Sequence, residues 1–465
     1  MSVRNVLLDE ARKAAGEYLE SIAHRRVAAP AAADTLRAEL SIPLSEAGEP
    51  PEGVLGVLAQ AGRLGTTATQ GPRYFGFVTG GSLPVATAAD WLVSAWDQNG
   101  ALHVMSPLSA VLEDVTAGWV RTLLGVGPKW SVGFVTGGHM ANFTAMAAAR
   151  RHVLLRHGWD VEKDGLAGAP EVTLLAGQEA HYTIATAARL LGFGSERIVR
   201  IPTDNQGRMD ADALYQSLQT TNGPAIVCAQ AGNVNSGAFD PIDQLAEICG
   251  ERGAWLHVDG AFGLWAAASP ALQHLATGIA RADSLATDAH KWLNVPYDCG
   301  VVLCAHPEAH RSAMTMEASY IETTSFERDA HAYVPEESRR ARAIPVYAVL
   351  RTLGKSGLAA LLETCCRHAR RFAEGLAEGG FEILNDVVLN QVLVSFGDDD
   401  TTRRVFRGVQ EDGTCWCGGT TWKGRAAMRI SVSSWATGDE DVELSLSAIT
   451  TVARQVRGRE PAPGA

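Results

Sequence analysis

Between residues 130 and 305 the chain alternates short runs rich in β-branched and apolar residues with longer stretches of helical periodicity. Seven such runs occur: "WSVGFV", "VTLLAG", "RIVRIPTD", "AIVCAQAG", "AWLHVDGAFG", "DSLATD" and "CGVVLCA". Between most of them lie stretches such as "HMANFTAMAAARRHVLLRHG", "HYTIATAARLLGFG" and "DPIDQLAEICGERG". Strands that read as continuous apolar runs are buried on both faces, and the intervening helices supply the cover. The pattern therefore predicts an α/β fold, with a mostly parallel seven-stranded sheet and helices on both sides. Sheets of this kind bind ligands beyond the carboxyl ends of their strands, so the polar residues that follow each run are the ones to read for chemistry.

The flanks differ. Residues 1–75 read as two or three amphipathic helices broken at "SEAGEPPEG", a segment of the kind that wraps a partner subunit or caps a core. Residues 76–335 form the expected large domain. A long helical tract over 344–380 is followed by "FEILND", "NQVLVSFG", "AAMRISVSSW" and a closing helix, which predicts a smaller α+β domain over 336–455. The last residues, 456–465, read as a flexible tail.

A formal net charge of -12 and a pI near 5.6, with 40 Lys and Arg scattered without a basic run, exclude the electrostatic footprint of a nucleic-acid or anionic-membrane binder. Small molecules are the expected partners. The N-terminus lacks an uninterrupted apolar core of a signal peptide and no run is long enough to span a bilayer, so a cytoplasmic address is expected. Eight cysteines diluted through 465 residues read as reduced core residues rather than disulfides. The pair in "TCWCGG", Cys415 and Cys417, has no nearby partner set, and no metal site is expected.

Four features near strand ends could carry chemistry. Gly137 and Gly138 in "FVTGGHMANF" precede a helix expected to begin near His139 or Met140; glycines admit an anion to backbone amides and the helix N-terminus favours negative charge. Taken alone, two glycines before a helix are more often just a tight turn. Asp259 closes "LHVDGAFG" between apolar Val258, Ala261 and Phe262, where a carboxylate needs a cation or a strong donor. Lys291 in "ATDAHKWLNVP" follows His290 and precedes Trp292; in an apolar strand context, burial is expected to lower its pKa and free a nucleophilic amine. His181 in "EAHYTIATAARLLG" opens a helix, where a histidine is commonly a cap. Together a phosphate cradle, a ring to stack, a carboxylate and an amine meet the requirements of pyridoxal 5'-phosphate.

The stretches "TGGHMANFTAM", "AHYTIATAARLLG", "AGNVNSGAFDPI", "HVDGAFG", "DAHKWLNVPYDCG", "SRRARAIPVYAVLRTLG" and "MRISVSSW", in that order from about Tyr74 to Trp435, resemble landmarks of the group II pyridoxal-phosphate-dependent decarboxylases, which include aromatic-L-amino-acid and glutamate decarboxylases. The resemblance implies fold type I, the aspartate-aminotransferase type, and a homodimer with active sites at the subunit interface. It implies that Lys291 forms the Schiff base with pyridoxal phosphate, that Asp259 pairs with the pyridine nitrogen, and that His181 stacks on the ring. Gly138 and His139 would lie on the phosphate, with Asn233, Ala261 and His290 completing the cofactor contacts. The implied reaction converts an L-amino acid to its amine and carbon dioxide; the same fold also supports oxidative deamination, aldehyde synthesis or other lyase and transferase chemistry.

The chain departs from that pattern in three places. His139 stands where the family usually carries Ser or Thr, and "GNVN" replaces a Thr-rich loop. The segment "SYIETTSFERDAHAYVPEESRR", which would carry the tyrosine proton donor, looks short; Tyr333 is the candidate late in it, and Tyr320 stands at its start. If no tyrosine reaches the site, oxygen can divert the carbanion toward an aldehyde. For the substrate pocket the expected residues are Tyr74 and Phe77 of "RYFGFVTGG", and Gln98, Asn99 and His103 of "WDQNGALHVMSP" from across the dimer interface.

Overall fold

The computed structural model describes residues 3–315 and 328–458. Its strands form two sheets. Strand β1 (Tyr74–Phe75) belongs to the smaller one; β2 (Ser131–Val135), β3 (Thr173–Gly177), β4 (Val199–Ile201), β5 (Ala225–Gln230), β6 (Trp255–Asp259), β7 (Ser284–Asp288) and β8 (Gly300–Cys304) form the larger, in the order β2-β8-β7-β6-β5-β3-β4. Each strand lies in one of the seven sequence runs. Pairing is parallel from β7 through β4, and only β8, which runs between β7 and β2, is antiparallel to its neighbours.

Every residue of β2, β5, β6, β7 and β8 is buried. Alternate side chains serve opposite faces, as the pleat requires. Leu174, Ile226, Cys228 and Trp255 pack in one cluster with helix α6 (below) and helix 182–190, whereas Leu175, Val227, Leu256 and Val258 join the main core on the other face. At roughly 25 cal/mol per Å² of apolar surface removed from water, such two-sided burial is the main stabilising term of this sheet. All eight cysteines are buried and free, as composition suggested.

Three helices open the chain, α1 (Val3–Ser21), α2 (Ala33–Leu40) and α3 (Pro51–Gly65), followed by α4 (Pro84–Trp96), α5 (Pro107–Leu124) and α6 (Gly138–Leu155). Pro51, Pro84 and Pro107 each sit in the first turn of their helix, where a missing N–H costs nothing. Neither α2 nor α3 buries a residue in the single chain. A 36-residue helix, Ala343–Glu378, crosses to the C-terminal domain and is interrupted at Gly354, whose φ of 60° is left-handed.

The smaller sheet runs β1-β11-β12-β10-β9, with β9 (Glu382–Ile383), β10 (Gln391–Ser395), β11 (Trp416–Trp422) and β12 (Arg425–Ser431) antiparallel and β1 added in parallel to β11. Tyr74 and Phe75 thus join the C-terminal sheet, with Tyr74 opposite Trp416. The expected tail falls largely outside the described residues; the closing helix runs Asp439–Gly458.

Pinning Tyr74–Phe75 to β11 aims the following loop, 76–81, at the end of β7. Gly81 N–H donates to Asn294 Oδ1 at 2.8 Å, and a Cβ on Gly80 would fall on the Lys291 carbonyl oxygen. Gly80→Ala is therefore expected to cost about 1–3 kcal/mol by overpacking against a backbone that cannot yield. Chemical denaturation checks this; an unchanged midpoint would show that the loop does not seat against Lys291.

Candidate active site

The carboxyl ends of β2, β3, β5, β6 and β7 converge on one pocket. Gly138, His139, Asn142, His181, Thr183, Gln230, Asp259, Ala261, Asp288 and Lys291 are among its lining residues. Two of its carboxylates terminate adjacent strands. Asp259 ends β6 and Asp288 ends β7, 6% and 2% exposed. Groups of that charge stay ionised in such burial only with cations or strong donors at hand.

Asp288 has three. The chain leaves β7 in a turn that brings Lys291 back, so that Lys291 Nζ lies 3.0 Å from Oδ2; His290 Nε2 lies 3.3 Å from Oδ1, and Gly138 N–H donates to Oδ1 at 2.5 Å. The last bond caps the first turn of α6, which begins at Gly138, one residue earlier than the sequence suggested. A side chain on Gly138 would press on the Asp288 carboxylate.

Lys291 lies beyond β7 rather than within a strand, and its ionisation runs opposite to the sequence expectation. Burial does favour the neutral amine, but the attraction and hydrogen bond of Asp288, with a smaller contribution from Asp259, outweigh it and raise the pKa above the ordinary lysine value. Before any cofactor arrives, the amine is thus held as an ammonium ion by a neighbouring carboxylate.

Asp259 is served differently. Asn142 Nδ2 donates to its Oδ2 at 2.9 Å and the Ala261 N–H to Oδ1 at 3.2 Å. His181 caps helix 182–190, its Nδ1 accepting from Thr183 N–H at 3.4 Å and lying 2.8 Å from Thr183 Oγ1. The same ring lines the pocket, so the cap reading and the site reading hold together. Burial lowers the His181 pKa; Asp259 opposes the shift, while Lys291 and Arg429 add to it. His290 is also lowered by burial, against the pull of Asp288; its Nδ1 accepts from Cys299 N–H at 3.1 Å and its ring stacks on Tyr297 at 4.3 Å.

Several expected residues lie elsewhere. Asn233 does not line the pocket: its Oδ1 accepts from Asn235 and Ser236 N–H groups and its Nδ2 donates to the Glu179 carbonyl, so both ends shape a loop. Tyr333 packs under Arg328 (4.3 Å) and edge-on to His310 (5.5 Å), lining a separate polar cavity of the same chain; Tyr320 lies outside the described residues. Asn99 Oδ1 accepts from the Ala101 and Arg339 amides, Gln98 donates to the Trp96 carbonyl, and the His103 N–H donates to Asp329. Within one chain none of these three reaches Lys291. Tyr74 stacks on Trp416 at 5.1 Å, and Phe77, 62% exposed, leans on the same indole at 5.4 Å. Burial, aided by Tyr297, pushes the Tyr74 phenol up to about 12.

Reading the sequence missed Asp288, Asn142, Thr183 and Gln230 of the lining, and Arg429, outside the lining, whose charge acts on His181. The first two carried a signal: Asp288 precedes Lys291 by three residues at the end of a run, and Asn142 follows Gly138 by one helical turn on an otherwise Ala-rich helix. Arg429 carried none. It is brought in from β12, is desolvated enough to lower its pKa, and its Nε is buried without a partner.

The pocket's side chains match the needs of a phosphorylated pyridine aldehyde. His139 Nε2 is buried beside the glycine turn with no hydrogen-bond partner, an orphan that an anion at that turn would satisfy. An amine, a carboxylate and an imidazole line the same pocket. They fit the group. Fold and site together define a fold type I enzyme dependent on pyridoxal phosphate.

Residues 35–397 match the family described as "Pyridoxal-dependent decarboxylase conserved domain". The chain is 30% identical over 346 residues to the aromatic-L-amino-acid decarboxylase of Bacillus atrophaeus, covering 73% of this chain and 70% of that one. It is also 30% identical over 341 residues to the acidic amino acid decarboxylase GADL1 of Mus musculus, spanning 70% of this chain and 60% of that relative. The crystal structure of Oryza sativa TDC with PLP and tryptamine superposes with a TM-score of 0.91 at 22% identity over 98% of this chain and 99% of that one, a likeness of fold. The chain belongs to the pyridoxal-dependent decarboxylase family, carboxy-lyases of amino acids that use pyridoxal 5'-phosphate.

Asp288→Asn removes the charge that keeps Lys291 protonated, leaving burial to act alone. The Lys291 pKa is expected to fall, because the group that raised it is gone. Carbamylation of Lys291 by cyanate in the cofactor-free protein, followed by mass spectrometry against pH, should show a lower midpoint in the variant; an equal or higher midpoint would contradict the pairing.

Proposed function

We propose that this chain decarboxylates an L-amino acid, with Lys291 as the covalent anchor of pyridoxal phosphate and Asp259 as the partner of its ring nitrogen. The observation that carries this reading is the placement of Lys291, Asp259, His181 and the orphaned His139 Nε2 on one pocket. The cofactor, when bound, supplies a sink for the electron pair left on Cα as carbon dioxide departs. The chain's part is to hold, orient and protonate.

His139 and the backbone amides of His139 and Met140 would hold the phosphate, in place of the hydroxyl usual in the family, since the Gly138 amide already serves Asp288. Asp259, ionised and fed by Asn142, would keep a proton on the ring nitrogen. His181 presents its ring to the pocket from a fixed cap. Asp288 holds Lys291 and the α6 terminus in register.

Arg429 is the candidate for a substrate carboxylate, since its buried Nε has no partner and its field reaches both Tyr74 and His181. For the side chain, the aromatic lip of Tyr74, Phe77, Trp416 and Tyr297 favours an aromatic amino acid. An offset ring pair is worth roughly 0.5–1.5 kcal/mol beyond burial.

A second reading keeps the site and changes the product. Tyr333 stands outside the Lys291 pocket of its own chain. If no donor from the partner subunit returns the proton to Cα, molecular oxygen would take the electron pair and leave as hydrogen peroxide, and hydrolysis by water would release the aldehyde and ammonia.

Homodimerisation is proposed on the apolar side chains that the single chain leaves in water, among them Leu44, Trp91, Leu92, Trp96, Val104 and Met105. Large apolar side chains left in water support an interface where they gather into a patch. Among the described residues no helix is long and apolar enough to cross a membrane, which is compatible with the proposed cytoplasmic address.

Borohydride treatment of the cofactor-loaded protein should place a pyridoxyl mass on Lys291, and carbon dioxide should be released from an aromatic L-amino acid. Label on another lysine, or no carbon dioxide from any amino acid, would overturn the reading. Arg429→Leu should raise KM by about 10–100-fold, the cost of one charged hydrogen-bond pair, with a smaller change in kcat. Sedimentation of Trp96→Glu should show monomers without activity if sites lie at the interface.

A further inference from the structure

A string of buried hydrogen bonds runs behind the pocket wall. Trp255 Nε1 lies 2.9 Å from Ser284 Oγ, which lies 2.9 Å from His257 Nδ1; His257 Nε2 lies 2.9 Å from Asn142 Oδ1. Asn142 Nδ2 then branches, to Asp259 Oδ2 at 2.9 Å and to Thr183 Oγ1 at 3.3 Å, and Thr183 Oγ1 continues to His181 Nδ1 at 2.8 Å. Trp255, Ser284, His257 and Asn142 are each at most 2% exposed. Asn142, Thr183, Asp259 and His181 line the pocket, whereas Trp255, Ser284 and His257 lie behind them and do not.

Donor and acceptor chemistry fixes every proton on the string. An ionised carboxylate only accepts, so Asn142 must turn its NH₂ toward Asp259. Its Oδ1 then faces His257, which must carry its proton on Nε2. His257 Nδ1 is left bare and takes the Ser284 hydroxyl proton, while the Trp255 indole, a donor only, fills a lone pair of Ser284. Burial pushes the His257 pKa down to about 4 despite Asp259 and Ser284, so the ring is neutral above that pH and the pattern holds. On the other branch Thr183 accepts from Asn142 and gives its proton to His181 Nδ1, which leaves the His181 proton on Nε2.

We propose that Asn142, oriented by His257 and Ser284, is a positioning residue that keeps an N–H donor on the Asp259 carboxylate and sets the His181 tautomer, so that one amide prepares both groups facing the cofactor ring. Cutting the string at residue 257 frees the amide to turn its oxygen toward the carboxylate, and Asp259 would then favour a proton of its own over that of the ring nitrogen. The inference rests on Asp259 being the partner of that nitrogen.

The test titrates the cofactor-free full chain with pyridoxal phosphate and with the analogue in which carbon replaces the ring nitrogen, and takes the ratio of the two affinities. The wild type should prefer pyridoxal phosphate. His257→Phe, which keeps the volume, should reduce the ratio about tenfold, and Ser284→Ala about threefold, as expected for a charged and a neutral hydrogen bond respectively. His257→Gln, with a donor and an acceptor in comparable places, should recover part of it. General damage to the fold would weaken both ligands alike and leave the ratio unchanged, which would overturn the inference. Should His257→Phe not fold, Ser284→Ala decides by the same ratio. A wild type without any preference would instead sink the assignment of Asp259, a separate outcome.

Discussion

Two carboxylates buried side by side, at the ends of neighbouring strands β6 and β7, are the constraint on which the rest of the pocket depends. Each must be neutralised or saturated with donors, and the fold answers the two in different ways. Asp288 receives an ammonium ion and an imidazole from the turn after its own strand, and the first amide of α6 from the distant segment after β2. Asp259 receives amides only, from Asn142 and Ala261. One carboxylate is therefore paired with the lysine amine, and the other is held by N–H donors alone. That asymmetry fits the two roles proposed for them, holding an amine and holding a proton on a ring.

The sheet makes the asymmetry possible. Parallel strands place their carboxyl ends on one edge, and the glycine turn after β2 brings the α6 N-terminus to the same edge. The C-terminal sheet contributes from the opposite side through β1 and β12, which deliver the 76–81 loop and Arg429. A pocket assembled from such distant segments is rigid where it rests on strands. Phe77 and Tyr297, both exposed, stand on loops.

Much of this was legible in the sequence because it is periodic or local. The seven runs read as strands since a two-sided buried sheet leaves continuous apolar stretches, and Lys291, Asp259 and His181 stood out as polar residues at their ends. Asp288 and Asn142 were passed over because each reads alone as an ordinary strand end or helix residue; their importance comes from partners more than 100 residues away, such as Gly138 for Asp288 and Asp259 for Asn142. Arg429 depends on how a second sheet docks. The ionisation of Lys291 was misjudged for a related reason: burial is visible in an apolar context, whereas a carboxylate three residues earlier counts only if a turn folds it back. Asn233, whose surroundings resembled a ligand loop, supports that loop instead.

On the proposed reading, one pocket joins the amine of Lys291 to Asp259 through the cofactor. A crystal structure of the cofactor-loaded enzyme tests it most directly. The account predicts continuous density from Lys291 Nζ to the cofactor, with the ring nitrogen about 3 Å from an Asp259 oxygen and the phosphate beside His139. A cofactor held by another lysine, or one whose ring nitrogen faces away from Asp259, would contradict it.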